Sequence, residues 1–170
     1  MFNQKIQDWF NKKKWEPHPY QIELFKKIDE INNVLILAPT GSGKTLAGFL
    51  PSINEMIVNP KHGLNTLYIS PLKALANDID RNLKQPLEEM MSLAEKLEMD
   101  VPDIKVAVRS GDTSLKERAR MVRKPPHILI TTPESLGLLL SSKKFRDHFR
   151  KTRYIILDEI HDLANNKRGT

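Results

Sequence analysis

The sequence predicts an α/β fold with a mainly parallel sheet and helices on both faces, and three observations predict it. From Val34 onward, short apolar runs alternate with helical stretches, the order expected of βαβ units. The runs are nearly continuous instead of alternating with polar residues, as in strands buried on both faces. A glycine-containing segment, Ala38 to Thr45, joins the first run to the next helix, and a strand-to-helix turn of that kind is a natural phosphate site.

Element by element, Phe2, Ile6, Trp9 and Phe10 recur at helical spacing, and Tyr20, Leu24, Ile28 and Ile31 do so again after Pro17 and Pro19, which predicts two N-terminal helices. Lys12 to Lys14, between them, read as a solvated run. Strands are predicted at 34–38, 66–70, 104–108, 128–131 and 154–157. Leu46, Phe49, Leu50, Ile53, Met56 and Ile57 mark the apolar face of the helix after the first strand, which Pro51 should kink. The stretch 72–99 reads as two helices, with Pro86 in the first turn of the second, where its missing N–H costs nothing.

The chain has 170 residues, enough for one compact domain and too few for two of ordinary size. Hydrophobic residues form 39% and charged residues 28% of it, the balance of a folded globular domain. Lysine and arginine number 27 against 21 acids, for a net charge of +6, which favours polyanionic partners such as nucleic acid. Cysteine is absent, so disulfides, thiolate metal sites and cysteine nucleophiles are excluded. The histidines, His18, His62, His127, His148 and His161, form no H-x-x-x-H pair that would suggest a protein-built metal site. No run approaches the ~20 apolar residues that cross a bilayer. A cytoplasmic location is the default expectation.

The segment APTGSGKT carries the clearest chemistry. Gly41 and Gly43, with Thr40 and Ser42 between and beside them, let the backbone turn tightly and present N–H groups to phosphate oxygens. Lys44 supplies a charge for the β- and γ-phosphates, and Thr45 a hydroxyl for Mg²⁺, at the N-terminus of a helix whose dipole favours anions. Ala38 stands where the pattern has its first glycine. The complementary acids lie in YIILDEIH, where an apolar strand runs into Asp158 and Glu159. Asp158 is placed to hold Mg²⁺ through water, and Glu159 to polarise the water that attacks the γ-phosphate. Two acids there could alternatively cap the following helix. ATP and Mg²⁺ are the cofactors this pairing implies.

With APTGSGKT and DEIH in this order and spacing, the sequence resembles superfamily 2 helicases of the DExH type. Ser70 to Asn77, Ser110 to Thr113 and Thr131 to Ser135 look like the motifs between those two, and Pro125 to Leu140 together with Asn166 to Gly169 are most like the large helicase-related, or Lhr-type, group. The resemblance implies a RecA-like P-loop NTPase domain over residues 1–170 with a helical extension at 1–31, and a second RecA-like domain that this chain lacks. It implies an ATP-dependent helicase acting on single-stranded or duplex nucleic acid, DNA or a DNA–RNA hybrid, whose full activity needs the second domain and its arginine finger. Lys44, Asp158 and Glu159 are its catalytic residues. Gln21, which on its own reads as an exposed helix residue, is similar to the family's adenine-reading glutamine, and His161 to a residue coupling the ATP site to later segments. Pro71, Lys73, Arg109, Ser110, Gly111, Thr132 and Pro133 fall in the strand-contacting motifs.

Physical features support that last set. Ser70-Pro71 and Thr132-Pro133 each place a capping residue and a first-turn proline after a strand, and Ser114 to Glu117 reads as a capping box. Three helix N-termini would then share the sheet edge where open α/β folds bind ligands, with Arg168 adding charge. Glu134 stands against this, because a carboxylate at a helix N-terminus competes with phosphate. Two alternatives remain at this point: a non-catalytic nucleic-acid-binding remnant, and a P-loop kinase, for which no arginine-rich lid is visible.

Overall fold

The computed structural model describes residues 2–31, 33–39, 41–71, 79–99 and 102–161. They cluster into two compact units, one of residues 1–60 and 80–102 and one of residues 61–79 and 103–170.

The first unit is helical. Helix α1 (Gln4–Lys13) begins where Asn3 accepts the Lys5 N–H, and it ends on Lys14 in a left-handed conformation. It buries Ile6, Trp9 and Phe10, the residues whose spacing predicted it. Helix α2 (Pro19–Lys27) starts at a proline, as expected, but stops before Ile28 and Ile31. Helix α3 (Lys44–Val58) runs through Pro51 and buries Ala47, Phe49, Leu50, Ile53, Met56 and Ile57. A π-helical turn (Asp80–Lys84) leads into α4 (Gln85–Lys96), with Pro86 in its first turn. Helices α1 and α4 pack together and share a polar tie: Trp9 Nε1 donates to Glu89 at 2.9 Å and Lys13 Nζ reaches the same carboxylate at 2.8 Å.

The second unit is built on a parallel sheet of β1 (Thr66–Ile69), β2 (Val106–Arg109), β3 (Ile128–Thr131) and β4 (Tyr154–Leu157), in the order β2-β3-β1-β4. The register aligns Arg109 with Thr131, Thr131 with Ile69, and Ile69 with Leu157, so the carboxyl ends of all four strands form one edge. The central strands β1 and β3 are buried throughout, which explains their unbroken apolar sequences. Helices α5 (Leu115–Arg123), α6 (Pro133–Ser141) and α7 (Lys143–Arg146) complete the unit. Met121, Leu139 and Phe145 from these helices pack on Leu67, Ile69 and Leu129 of the sheet.

The predicted strand at 34–38 is not formed. Val34, Leu35 and Leu37 are 41%, 68% and 85% exposed, and no described residue makes a ladder with them. An apolar run becomes a strand only beside a partner that takes its backbone groups. Among the described residues no helix is long and apolar enough to cross a membrane.

Candidate functional site

The phosphate loop lies in the first unit. Gly41 and Gly43 have φ of 79° and 82°, a left-handed backbone that glycine adopts without steric cost. Gly43 caps α3, which places Lys44 and Thr45 in the helix's first turn. The N–H groups of Gly43, Lys44 and Thr45 have no acceptor among the described residues, as at a helix N-terminus that can receive an anion. The Lys44 ammonium is folded onto the loop's own carbonyls, 2.7 Å from Ala38 O and 2.8 Å from Pro39 O. Those acceptors hold the charge at the loop. Thr40 lies outside the described residues.

Helix α2 is tied to this loop. Gln21 is not the exposed residue its sequence position suggests: it is 4% exposed, with Oε1 accepting from His18 N at 2.9 Å and Nε2 donating to Gly43 O at 3.3 Å. Tyr20 Oη donates to Ser42 O at 2.5 Å. The sequence reading missed Tyr20, for which the adjacent Gln21 was the available signal.

The acids lie in the second unit, at the end of β4. Asp158 N–H continues the ladder by donating to Ile69 O at 3.0 Å. Its carboxylate accepts from Tyr68 Oη through Oδ2 and from Glu159 N–H through Oδ1 at 3.0 Å. Tyr68 was also missed; a tyrosine inside a buried apolar strand is itself a signal, because its hydroxyl needs a partner. Glu159 has φ of 52°, an uncommon conformation for a residue with a side chain. His161 Nδ1 lies 3.3 Å from its carboxylate.

Along the same sheet edge stand Pro71, the Arg109 to Thr113 loop, and Thr132 with Pro133. Thr132 caps α6, and Ser114 with Glu117 forms the expected capping box at α5. Ser70 Oγ is buried without a hydrogen-bond partner among the described residues. Arg109 is 8% exposed and donates to Ser110 O at 2.8 Å. Burial holds its pKa below the ordinary arginine value, and repulsion from Arg118 adds to this. Arg118 donates to Thr113 O and Gly111 O at 2.7 and 2.8 Å, so two guanidinium groups grip one loop from within. The N–H groups of Ser110, Asp112 and Thr113 bond inside the loop and that of Ser114 donates to Glu117, while that of Gly111 has no acceptor among the described residues. Lys73, Arg168 and the segments 72–77 and 166–169 lie outside the described residues.

Comparison with known proteins narrows the readings these groups allow. The family model for DEAD/DEAH box helicases matches residues 18–170. The chain belongs to the DEAD/DEAH box helicase family. Within it, the sequence is 49% identical to the ATP-dependent helicase Lhr-Core protein 2 of Thermococcus barophilus over 97% of this chain and 20% of that protein. It is 48% identical to the ATP-dependent helicase Lhr-Core of Methanocaldococcus jannaschii over 96% and 20%. The structure of Mycobacterium smegmatis helicase Lhr bound to ssDNA and AMP-PNP superposes with a TM-score of 0.90 at 46% identity, covering 99% of this chain and 21% of that one. The chain thus spans about a fifth of the length of these helicases, and its fold is that of a RecA-like helicase domain. Family membership removes the kinase alternative.

Proposed function

We propose that this chain is the ATP-binding domain of an Lhr-type helicase, in which ATP hydrolysis drives movement along, or separation of, nucleic-acid strands. The observation that carries the reading is the loop before α3, where a lysine ammonium held on its own loop's carbonyls stands beside three backbone N–H groups without acceptors among the described residues. Lys44 exchanges Ala38 O and Pro39 O for the β- and γ-phosphates, a charge-assisted contact that outweighs two neutral ones. Gln21 reads the adenine, and Thr40 to Thr45 surround the phosphates.

Mg²⁺, when bound, neutralises phosphate charge and activates the γ-phosphate toward water. The groups read for it fit that task. Thr45 offers a hydroxyl with no partner among the described residues, and Asp158 already accepts a hydrogen bond at each oxygen, which suits contact through water. Glu159 orients and polarises the attacking water, with His161 beside it as the coupling residue. Pro71, Lys73, Arg109, Ser110, Gly111, Thr132 and Pro133 form the strand-contacting edge, with the N–H of Gly111 as a direct donor and Arg109 holding the loop from beneath. The strand taken is single-stranded DNA, by likeness to the mycobacterial relative. The chain spans about a fifth of the length of its helicase relatives, so the ATP turnover proposed here is that of the full-length protein.

Calorimetry with Mg-ATP tests the reading. Lys44→Ala should weaken binding at least tenfold, in line with the ~1.5–3 kcal/mol of a hydrogen bond to a charged group. In a protein extended to include the second domain, Glu159→Gln should bind ATP normally and lose turnover. Equal affinity of the Lys44 variant and its parent would remove the phosphate-loop assignment, and full turnover by the Glu159 variant would remove its role as the water-activating base.

A further inference from the structure

Two carbonyls of the phosphate loop are taken by the start of α2. Tyr20 Oη holds Ser42 O, and Gln21 Nε2 holds Gly43 O. The Tyr20 ring is itself stacked on His18, with centroids 5.6 Å apart and planes inclined by 12°. This end of α2 lies against the glycine directly: a Cβ on Gly43 would stand 3.1 Å from Gln21 Nε2, 3.8 Å from Tyr20 Oη and 4.0 Å from the His18 ring. From its other side, Ser42 is fixed by Pro39 O, which accepts from its N–H at 3.3 Å and its hydroxyl at 2.7 Å.

A trans peptide is planar, with its C=O and N–H pointing in opposite directions, and no described peptide is cis. The C=O of Ser42 and the N–H of Gly43 belong to one such plane. Holding that oxygen on the α2 side therefore turns the Gly43 N–H to the opposite side, where it has no acceptor among the described residues. We propose that Tyr20 is a positioning residue for nucleotide phosphate: by anchoring Ser42 O it aims the Gly43 N–H at the phosphate chain. The inference rests on the nucleotide reading above and adds a residue to that site. Because Tyr20 acts through the backbone, its effect is the same on any nucleoside di- or triphosphate, whereas Gln21, which also holds Gly43 O, would add a preference for adenine by reading the base.

The test is Tyr20→Phe, which keeps the ring on His18 and removes only the hydroxyl. MgADP, MgATP and MgGTP should each bind about three- to tenfold more weakly, the range of one neutral hydrogen bond, with the melting temperature unchanged. In the parent, the Gly43 amide proton should move downfield on adding MgADP, and it should move less in the variant. Gln21→Ala should instead narrow the preference for ATP over GTP. Equal affinities of Tyr20→Phe and parent would overturn the proposal, as would a loss confined to adenine nucleotides. If the variant melts early, the parent's amide decides alone: a Gly43 resonance unmoved by MgADP overturns it. A parent that binds no nucleotide at all sinks the nucleotide reading itself, a result distinct from any of these.

Discussion

Tyr68 and Asp158 are 90 residues apart in the chain and joined by one hydrogen bond across neighbouring strands. The phenol is 1% exposed, so its hydroxyl has exchanged water for the carboxylate, and a donor to a charged acceptor is worth ~1.5–3 kcal/mol. That contact fixes the plane of the carboxylate. Tyr68→Phe leaves the ring in the core but releases one oxygen of Asp158, so the Mg²⁺-dependent part of ATP affinity should fall several-fold while Mg²⁺-free binding stays the same. Titrations with and without Mg²⁺ measure this, and an equal change in both would show that Tyr68 supports the fold alone. Glu159, the next residue, carries its carboxylate on a left-handed backbone that costs ~1–3 kcal/mol, which the Asp158 side chain offsets by accepting its N–H.

Among the elements, the start of β3 carries a pH-sensitive joint. His127 Nδ1 accepts the Lys105 N–H at 2.9 Å, while its backbone bonds both neighbouring segments through Lys105 O, Asn65 N and Thr66 N. Burial lowers the pKa of this imidazole; Asp103 opposes the shift, and Lys105 and His62 reinforce it. The folded value therefore lies below the unfolded one of about 6.5. Protonation removes the acceptor, so the stability this histidine contributes is complete above the unfolded value and is lost as pH falls through the folded one. Melting temperature should drop between neutral and mildly acidic pH more in the parent than in His127→Gln, which cannot titrate. Identical pH slopes for the two would place the sensitivity elsewhere.

At the scale of the whole molecule, an excess of six positive charges supplies a long-range field that favours nucleic acid, while the strand contacts proposed above fall on the carboxyl edge of the sheet in the second unit. Ser70, Gly111 and Thr132 stand at the ends of three different strands, and the parallel register is what brings them into one line. Binding of single-stranded DNA should fall linearly on a log–log plot against salt, with a slope of about −0.7 for each phosphate neutralised. A salt-independent affinity in a filter or anisotropy assay would rule out backbone phosphate as the ligand of that edge.

What the sequence alone determined was local or periodic. The helices at α1, α3 and α4, the capping box of Ser114 and Glu117, the first-turn prolines Pro86 and Pro133, and four of five strands follow from spacing and from residue types whose preferences act within a turn or two. The proposed phosphate loop could be read for the same reason, since Gly41, Gly43, Lys44 and Thr45 are neighbours in the chain. Tertiary structure decided everything that depends on a distant partner. Residues 34–38 have a strand's composition and no strand's ladder, because pairing belongs to two segments and not to one. Gln21 has a surface residue's sequence position and is buried against Gly43; Arg109 is a strand-end cation that turns inward onto Ser110 O. Tyr20 and Tyr68 are ordinary aromatic residues along the chain. Each is joined to the proposed site only where folding sets its hydroxyl against an acceptor 22 or 90 residues away, and hydrogen bonds at that separation leave no periodic trace in the sequence.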